Sequence, residues 1–346
     1  MPTRRMSLSG APNVVKRVAA VGAVVLAAAF VPGGARAAPI DTVRIVYQAF
    51  QSYGALFIAD REGFFSAERI RLEWVPLRTS AEAIPLLAQG KLDVGAGGIS
   101  PAYFNAVSRG LRVRIVADKG HVGPRGGVPV LMVRRGLAGV IKTVADLKGR
   151  KVAISGLGDL GHYLWYRTLT AHGLSLGDVT LVTLPLPAYV AALEGGSVDA
   201  AFLTPPQDKQ AAEAGMAFTL ADPAGFMMGE PLAFLYYGPT FLERDRALGL
   251  RFMVAYLRGL RQYNAGPTER NVSIVAEYTK VDPALVRRSG WIGMRADGLV
   301  DVAKVRRLQD WLYEIELVSV RNPMQTVVDN SFVDQAGDLL HLRGTR

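Results

Sequence analysis

Two stretches of this 346-residue chain decide its architecture: Leu87-Ala88-Gln89-Gly90-Lys91-Leu92-Asp93-Val94-Gly95-Ala96, and 106 residues later Leu193-Glu194-Gly195-Gly196-Ser197-Val198-Asp199-Ala200-Ala201-Phe202. Each follows an amphipathic stretch, turns at glycine, runs on as a short apolar β-like segment, and leads into proline, at Ser100-Pro101 and at Thr204-Pro205-Pro206. The likeness extends upstream. Val43–Gln48 and Lys151–Ser155 are β-like runs that each precede a helix and then a second β-run, Arg71–Leu77 and Val179–Leu184. Two similar βαβαβ units follow, and short strands alternating with helices predict an α/β chain of parallel sheets covered on both faces.

The punctuation between the units divides the chain. Lys119–Gly127 holds four glycines and a proline and reads as a crossing between lobes, while Ala221–Pro231, with two prolines and two glycines, reads as a second one. The tail is helical. Leu248–Tyr263 stops before Gly266-Pro267, and Asp301–Val318 sets Val302, Val305, Leu308, Leu312 and Ile315 on one face. Having no sheet of their own, these helices are expected to return over the first lobe. The prediction is a lobe of residues 38–122 and 231–346, a second lobe of residues 123–230, and two crossings around a ligand cleft.

Composition narrows the chemistry. Half the residues are hydrophobic and 20% are charged, as in ordinary globular proteins. With no cysteine, the chain offers no disulfide, thiolate zinc site, iron–sulfur cluster or cysteine nucleophile. His121, His162, His172 and His341 lack metal-ligand spacing, so neither a metal nor any other cofactor is expected. Half of the +10 charge comes from Arg4, Arg5, Lys16, Arg17 and Arg36, and no later stretch clusters basic residues with aromatics, so nucleic acid is not an expected partner. Residues 1–37 read as an export signal: a basic region to Arg17, the apolar run Val18–Val31, and Ala35-Arg36-Ala37 as a cleavage pattern. The apolar run is shorter than the roughly 20 residues a spanning helix needs. Cleavage near Ala37/Ala38 predicts a periplasmic or secreted protein, without a lipid anchor for want of cysteine. Thr3-Arg4-Arg5-Met6-Ser7-Leu8 partly matches a twin-arginine motif and leaves the export route open.

The segment Thr79–Pro101, the run Asp146-Leu147-Lys148-Gly149-Arg150-Lys151-Val152-Ala153-Ile154, and Ala192–Ala201 together resemble the solute-binding proteins of ABC importers for nitrate, sulfonates, taurine and thiamine-precursor pyrimidines. Trp291, the turn at Asp297-Gly298 and the helix from Asp301 resemble that family's C-terminal part. The resemblance implies the two-lobed type II periplasmic-binding fold, a monomer that closes on a small solute and hands it to an ABC permease and its ATPase subunit. It does not name the solute.

Gly156-Leu157-Gly158-Asp159-Leu160-Gly161 is a literal GxGxxG between a β-run and a helix. A dinucleotide fingerprint also needs an acid at the end of the next strand, and Val179–Leu184 ends in Pro185. The glycines still allow close backbone approach, and a helix start favours negative charge. In open α/β sheets, ligands gather beyond the carboxyl ends of the strands. That rule selects Gln51, Ser52, Tyr53, Thr79, Ser80 and Ser100 from the first unit. From the second it selects Gly158, Asp159, His162, Tyr163, Tyr189, Thr204 and Gln207. For Thr79, Ser80, Ser100 and Thr204, helix capping is an equal alternative; Trp165 is assigned to the core and Arg125 to a solvated loop. No GxSxG elbow, SxxK set or phosphate loop is present. The competing readings are an enzyme on the same scaffold and a secreted, ligand-presenting sensor.

Overall fold

The computed structural model describes residues 39–341; the predicted export signal lies outside these residues. The strands are β1 (Asp41–Tyr47), β2 (Ile70–Pro76), β3 (Val94–Gly97), β4 (Arg114–His121), β5 (Val130–Arg134), β6 (Lys151–Ile154), β7 (Thr180–Thr183), β8 (Ala200–Leu203), β9 (Ala217–Ala221) and β10 (Pro231–Tyr237). They form two sheets, ordered β2-β1-β3-β10-β4 and β7-β6-β8-β5-β9. The repeat is visible in their shared left halves, β2-β1-β3 and β7-β6-β8, all parallel, with Val43 opposite Leu72 and Val152 opposite Leu181.

The sheets are mixed, which corrects the all-parallel expectation. β10 runs antiparallel between β3 and β4, and β5 runs antiparallel between β8 and β9. The reason is where the chain enters. Strands β1, β3 and β4 end at one edge of the first sheet, so a strand returning through that edge from a crossing must run the opposite way. The same holds for β5 in the second sheet. β10 is buried along its whole length, as a central strand covered on both faces must be.

β4 also extends further than expected, taking in Lys119, Gly120 and His121. It holds that far because β10 pairs along it to His121, which also bridges to Gly293. Beyond it, Gly126 bridges to Gly290, so residues 290–293 run along the first crossing. The fit there is backbone against backbone. Gly127 has φ +76, and a Cβ on it would lie 2.8 Å from the Trp291 carbonyl carbon.

The tail helix Arg246–Asn264 does return over the first sheet, against the helix Gly54–Arg61. Gly259 allows that approach: a Cβ there would stand 2.7 Å from the Ala59 Cβ. The helix Val302–Glu314 departs from the expectation. Its Trp311 stacks on Tyr166 of the second-unit helix Leu160–Ala171, ring centroids 5.5 Å apart at 26°, so this helix reaches across to the other half. Trp165 is core, fully buried with its indole N–H donated to the Ala153 carbonyl at 2.8 Å.

Candidate functional site

The carboxyl ends of the first sheet's strands feed into short turns and helix starts. Gln51–Tyr53 form one helical turn ahead of Gly54–Arg61. Tyr53 is fully buried; its hydroxyl donates to the Ala96 carbonyl at 2.8 Å, and burial pushes the phenol far above its usual range. Lys119 Nζ lies 3.7 Å above that ring and donates to the Ser52 carbonyl at 3.1 Å and to Ser52 Oγ at 3.0 Å. Gln51 donates its amide to the Val286 carbonyl, while its Oε1 is buried without a hydrogen-bond partner. Thr79 and Ser100 occupy N-cap positions, yet neither side chain caps its helix. Thr79 Oγ1 turns to Glu82 at 3.1 Å. Ser80 lies beneath Gly97, where any Cβ would strike its hydroxyl.

The second sheet's edge is built around the start of Leu160–Ala171. Asp159 is its N-cap, accepting from the His162 N–H at 2.8 Å and from the Ser155 hydroxyl. Burial pushes the Asp159 carboxyl up, with the Ser155 bond opposing it. Burial pushes His162 down, which suits a neutral ring whose Nδ1 accepts from the Gly158 N–H at 2.9 Å. Tyr189 is buried beside Ser155 and Asp159; its phenol has no partner in good hydrogen-bond geometry, and burial together with the Asp159 charge pushes it up, with the nearby Ser155 hydroxyl opposing. Tyr163 donates to Glu230 at 3.1 Å and accepts from Arg167 at 3.0 Å, its phenol pushed up to about 12. Thr204 and Gln207 are half-buried, joined by the Gln207 N–H donating to the Thr204 carbonyl.

The two edges meet at Gly158. It has φ +75, and a Cβ on it would strike the Pro101 ring and lie 2.8 Å from Leu317. A cavity of about 10 Å³ remains between the halves, lined by Asp159, Tyr163, Ile99, Phe234 and Trp311 among others. That is room for about one water molecule. At this place the halves are packed against each other.

Sequence reasoning missed three groups here. Lys119 was hidden by Gly120 beside it, which made the end of β4 look like loop. Trp311, whose Nε1 is buried without a partner, comes from the tail helix. Glu230, in the loop just before β10, is a buried carboxylate holding Arg167 at 3.0 Å and Arg307 at 2.9 Å, and these bonds keep it below the usual carboxylate range despite burial. A lone acid inside an apolar approach to a strand was the available signal for it. Among the described residues, no group of three or more His, Cys, Asp or Glu is arranged to hold a metal, and no helix is long and apolar enough to cross a membrane.

Known proteins resemble this chain in sequence and in fold. A protein of Escherichia coli (strain K12) that carries the name aliphatic sulfonates-binding is 34% identical over 133 residues, 38% of this chain and 39% of that protein, so that alignment spans well under half of the relative. The taurine-binding periplasmic protein of the same organism is 23% identical over 72% of this chain and 78% of its own. The solved alkanesulfonate-binding protein SsuA from Xanthomonas axonopodis pv. citri, bound to MOPS, superposes with TM-score 0.65 at 23% identity, covering 85% of this chain and 99% of its own. The desulfurization enzyme DSZB has TM-score 0.64 at 19% identity, covering 88% of this chain and 100% of its own, so the fold also carries catalysis. The family model described as NMT1/THI5 like matches residues 51–270, from the turn at Gln51 through the second sheet to the return helix over the first, and the chain belongs to that family.

Proposed function

We propose that this chain is the solute-capturing component of an ABC importer, working in the periplasm as a monomer after removal of residues 1–37. Residues 38–122 with 231–346 form one lobe and 123–230 the other, and the lobes close on a small sulfonate-, taurine- or nitrate-like solute. The observation that carries this is the meeting of the two strand-end edges at Gly158, with Asp159 lining the small cavity there and Tyr189 close to Asp159. Loops at the carboxyl ends of two sheets facing each other across crossings form a clamp for a small ligand. The names of the taurine- and sulfonate-binding relatives support the solute class.

Catalysis on the same scaffold is the second reading, favoured by the desulfurization enzyme's shared fold. This chain has no cysteine to act as nucleophile. A thermal-shift screen of the mature protein against taurine, short alkanesulfonates, nitrate and a pyrimidine decides between them. One class is expected to raise the melting temperature and to be recovered unchanged. Conversion of the bound compound would establish the enzyme instead.

A further inference from the structure

Lysine is almost never fully buried unless an acid is paired with it, because an ammonium taken out of water loses its hydration. Lys119 is fully buried, and among the described residues no carboxylate stands within ion-pair distance of its amine. The neighbouring acid is committed elsewhere. Asp118 Oδ2 accepts from the Arg295 N–H at 2.8 Å and faces His121 Nδ1 at 3.4 Å. An ammonium carries three N–H donors, and Ser52 accepts two of them. Ser52 belongs to the turn that opens Gly54–Arg61, and unpaired N–H groups at a helix start carry positive potential. A cation beside a helix start is unfavourable in isolation and favourable around an anion. β4 ends two residues beyond Lys119, at the same sheet edge as β3.

We propose that Lys119 is the counter-ion for the anionic head group of the solute, and that capture adds a proton from solvent to its amine. The proposal rests on the solute-binding reading above. Burial pushes the free amine well below the usual lysine range, with the Asp118 charge opposing. An anion in contact raises it again, so between the two values the bound protein holds one proton that the free protein lacks. Affinity then falls as pH rises through that window, by up to tenfold per pH unit. The other titratable groups around the amine are Tyr53 in the turn, Asp118 and His121 on its own strand, Arg295 on the segment alongside, and Tyr256, whose hydroxyl donates to the Asp118 carbonyl at 2.6 Å. Burial keeps both tyrosines protonated.

Calorimetry of the mature chain with 1-propanesulfonate and with nitrate, neither of which titrates between pH 6 and 9, is run in buffers of different ionisation enthalpy. The expected result is uptake of up to one proton per solute and a dissociation constant that rises with pH. Lys119→Arg is expected to bind without that uptake, and Lys119→Met to lose roughly a hundredfold in affinity with an unchanged circular dichroism spectrum. Wild-type binding with no proton uptake at any pH overturns the proposal even if neither variant folds, and so does wild-type affinity in Lys119→Met; both leave the solute-binding reading intact. Capture of a neutral pyrimidine alone, equally by wild type and Lys119→Met, has the same effect. Failure of the wild type to bind any probe overturns both.

Discussion

The two edges that meet at the seam are finished differently. On the first sheet the tyrosine hydroxyls are spent on backbone: Tyr53 on Ala96, Tyr103 on Val327 at 2.5 Å, Tyr236 on Gly98 at 3.0 Å. On the second, the Tyr189 phenol has no partner, Asp159 is held with a raised carboxyl, and His162 is a neutral acceptor. Removing the Tyr53 hydroxyl strands the buried Ala96 carbonyl; removing the Tyr189 hydroxyl strands no hydrogen-bond partner. The difference separates a wall whose tyrosine hydroxyls are committed to backbone from a wall that keeps one buried phenol, Tyr189, uncommitted.

The largest effect that would break this contrast comes from Gly158→Val. The residue sits at φ +75 against Pro101 and Leu317, so a β-branched side chain strains the backbone and wedges the edges apart. Solute-dependent stabilisation, about 2.7 kcal/mol with solute at 100 times its dissociation constant, is expected to vanish in differential scanning calorimetry. Retention of the full shift would move the site away from this edge.

Glu230→Gln comes next, since it loosens the one buried carboxylate that ties Arg167 of the second-unit helix to Arg307 of the tail helix. Both arginines are partly exposed, which discounts the pair, and a loss of about 2 kcal/mol in urea unfolding is expected. The sign with pH follows from the lowered carboxyl. The folded protein holds this acid ionised where the unfolded chain begins to bind protons, so its contribution is complete above about pH 5 and disappears as pH falls through the folded value. Wild type and variant should therefore converge in acid. Curves that stay parallel to pH 3 would show that Glu230 acts through packing alone.

The smallest effects are the most discriminating. Tyr53→Phe is expected to cost about 1 kcal/mol of stability, because the Ala96 carbonyl loses its buried donor. Tyr189→Phe is expected to leave stability within about 0.5 kcal/mol while weakening solute binding several-fold. Equal stability losses for the two would erase the distinction between the edges.

Much of this architecture is legible from residue order, and the reasons for the remainder are physical. The 106-residue repeat carries strand type and neighbour order, because helix–glycine–strand spacing reflects how each unit folds locally. It does not carry strand direction: Pro231–Tyr237 is an apolar run whether it lies parallel or antiparallel, and only its entry through the crossing decides. The candidate site was half visible for a related reason. Gly158, Asp159 and His162 form one local turn whose chemistry is written in consecutive residues. Lys119 and Ser52 are 67 positions apart, and Trp311 reaches its neighbours from a helix whose apolar stripe fits either half equally well.

The crossings themselves have a mechanical consequence. Val122 donates to the Glu230 carbonyl at 2.8 Å and its own carbonyl accepts from the Gly229 N–H at 2.7 Å, while on the other side the Trp291 N–H donates to the Arg125 carbonyl at 2.8 Å. The connection is therefore three plies laced edge to edge. Like a leaf spring, such a ribbon bends readily across its flat face and resists twisting and in-plane shear, because those motions break the lacing. The opening and closing proposed above would then follow one track, each closure returning Gly158 to the same place against Pro101.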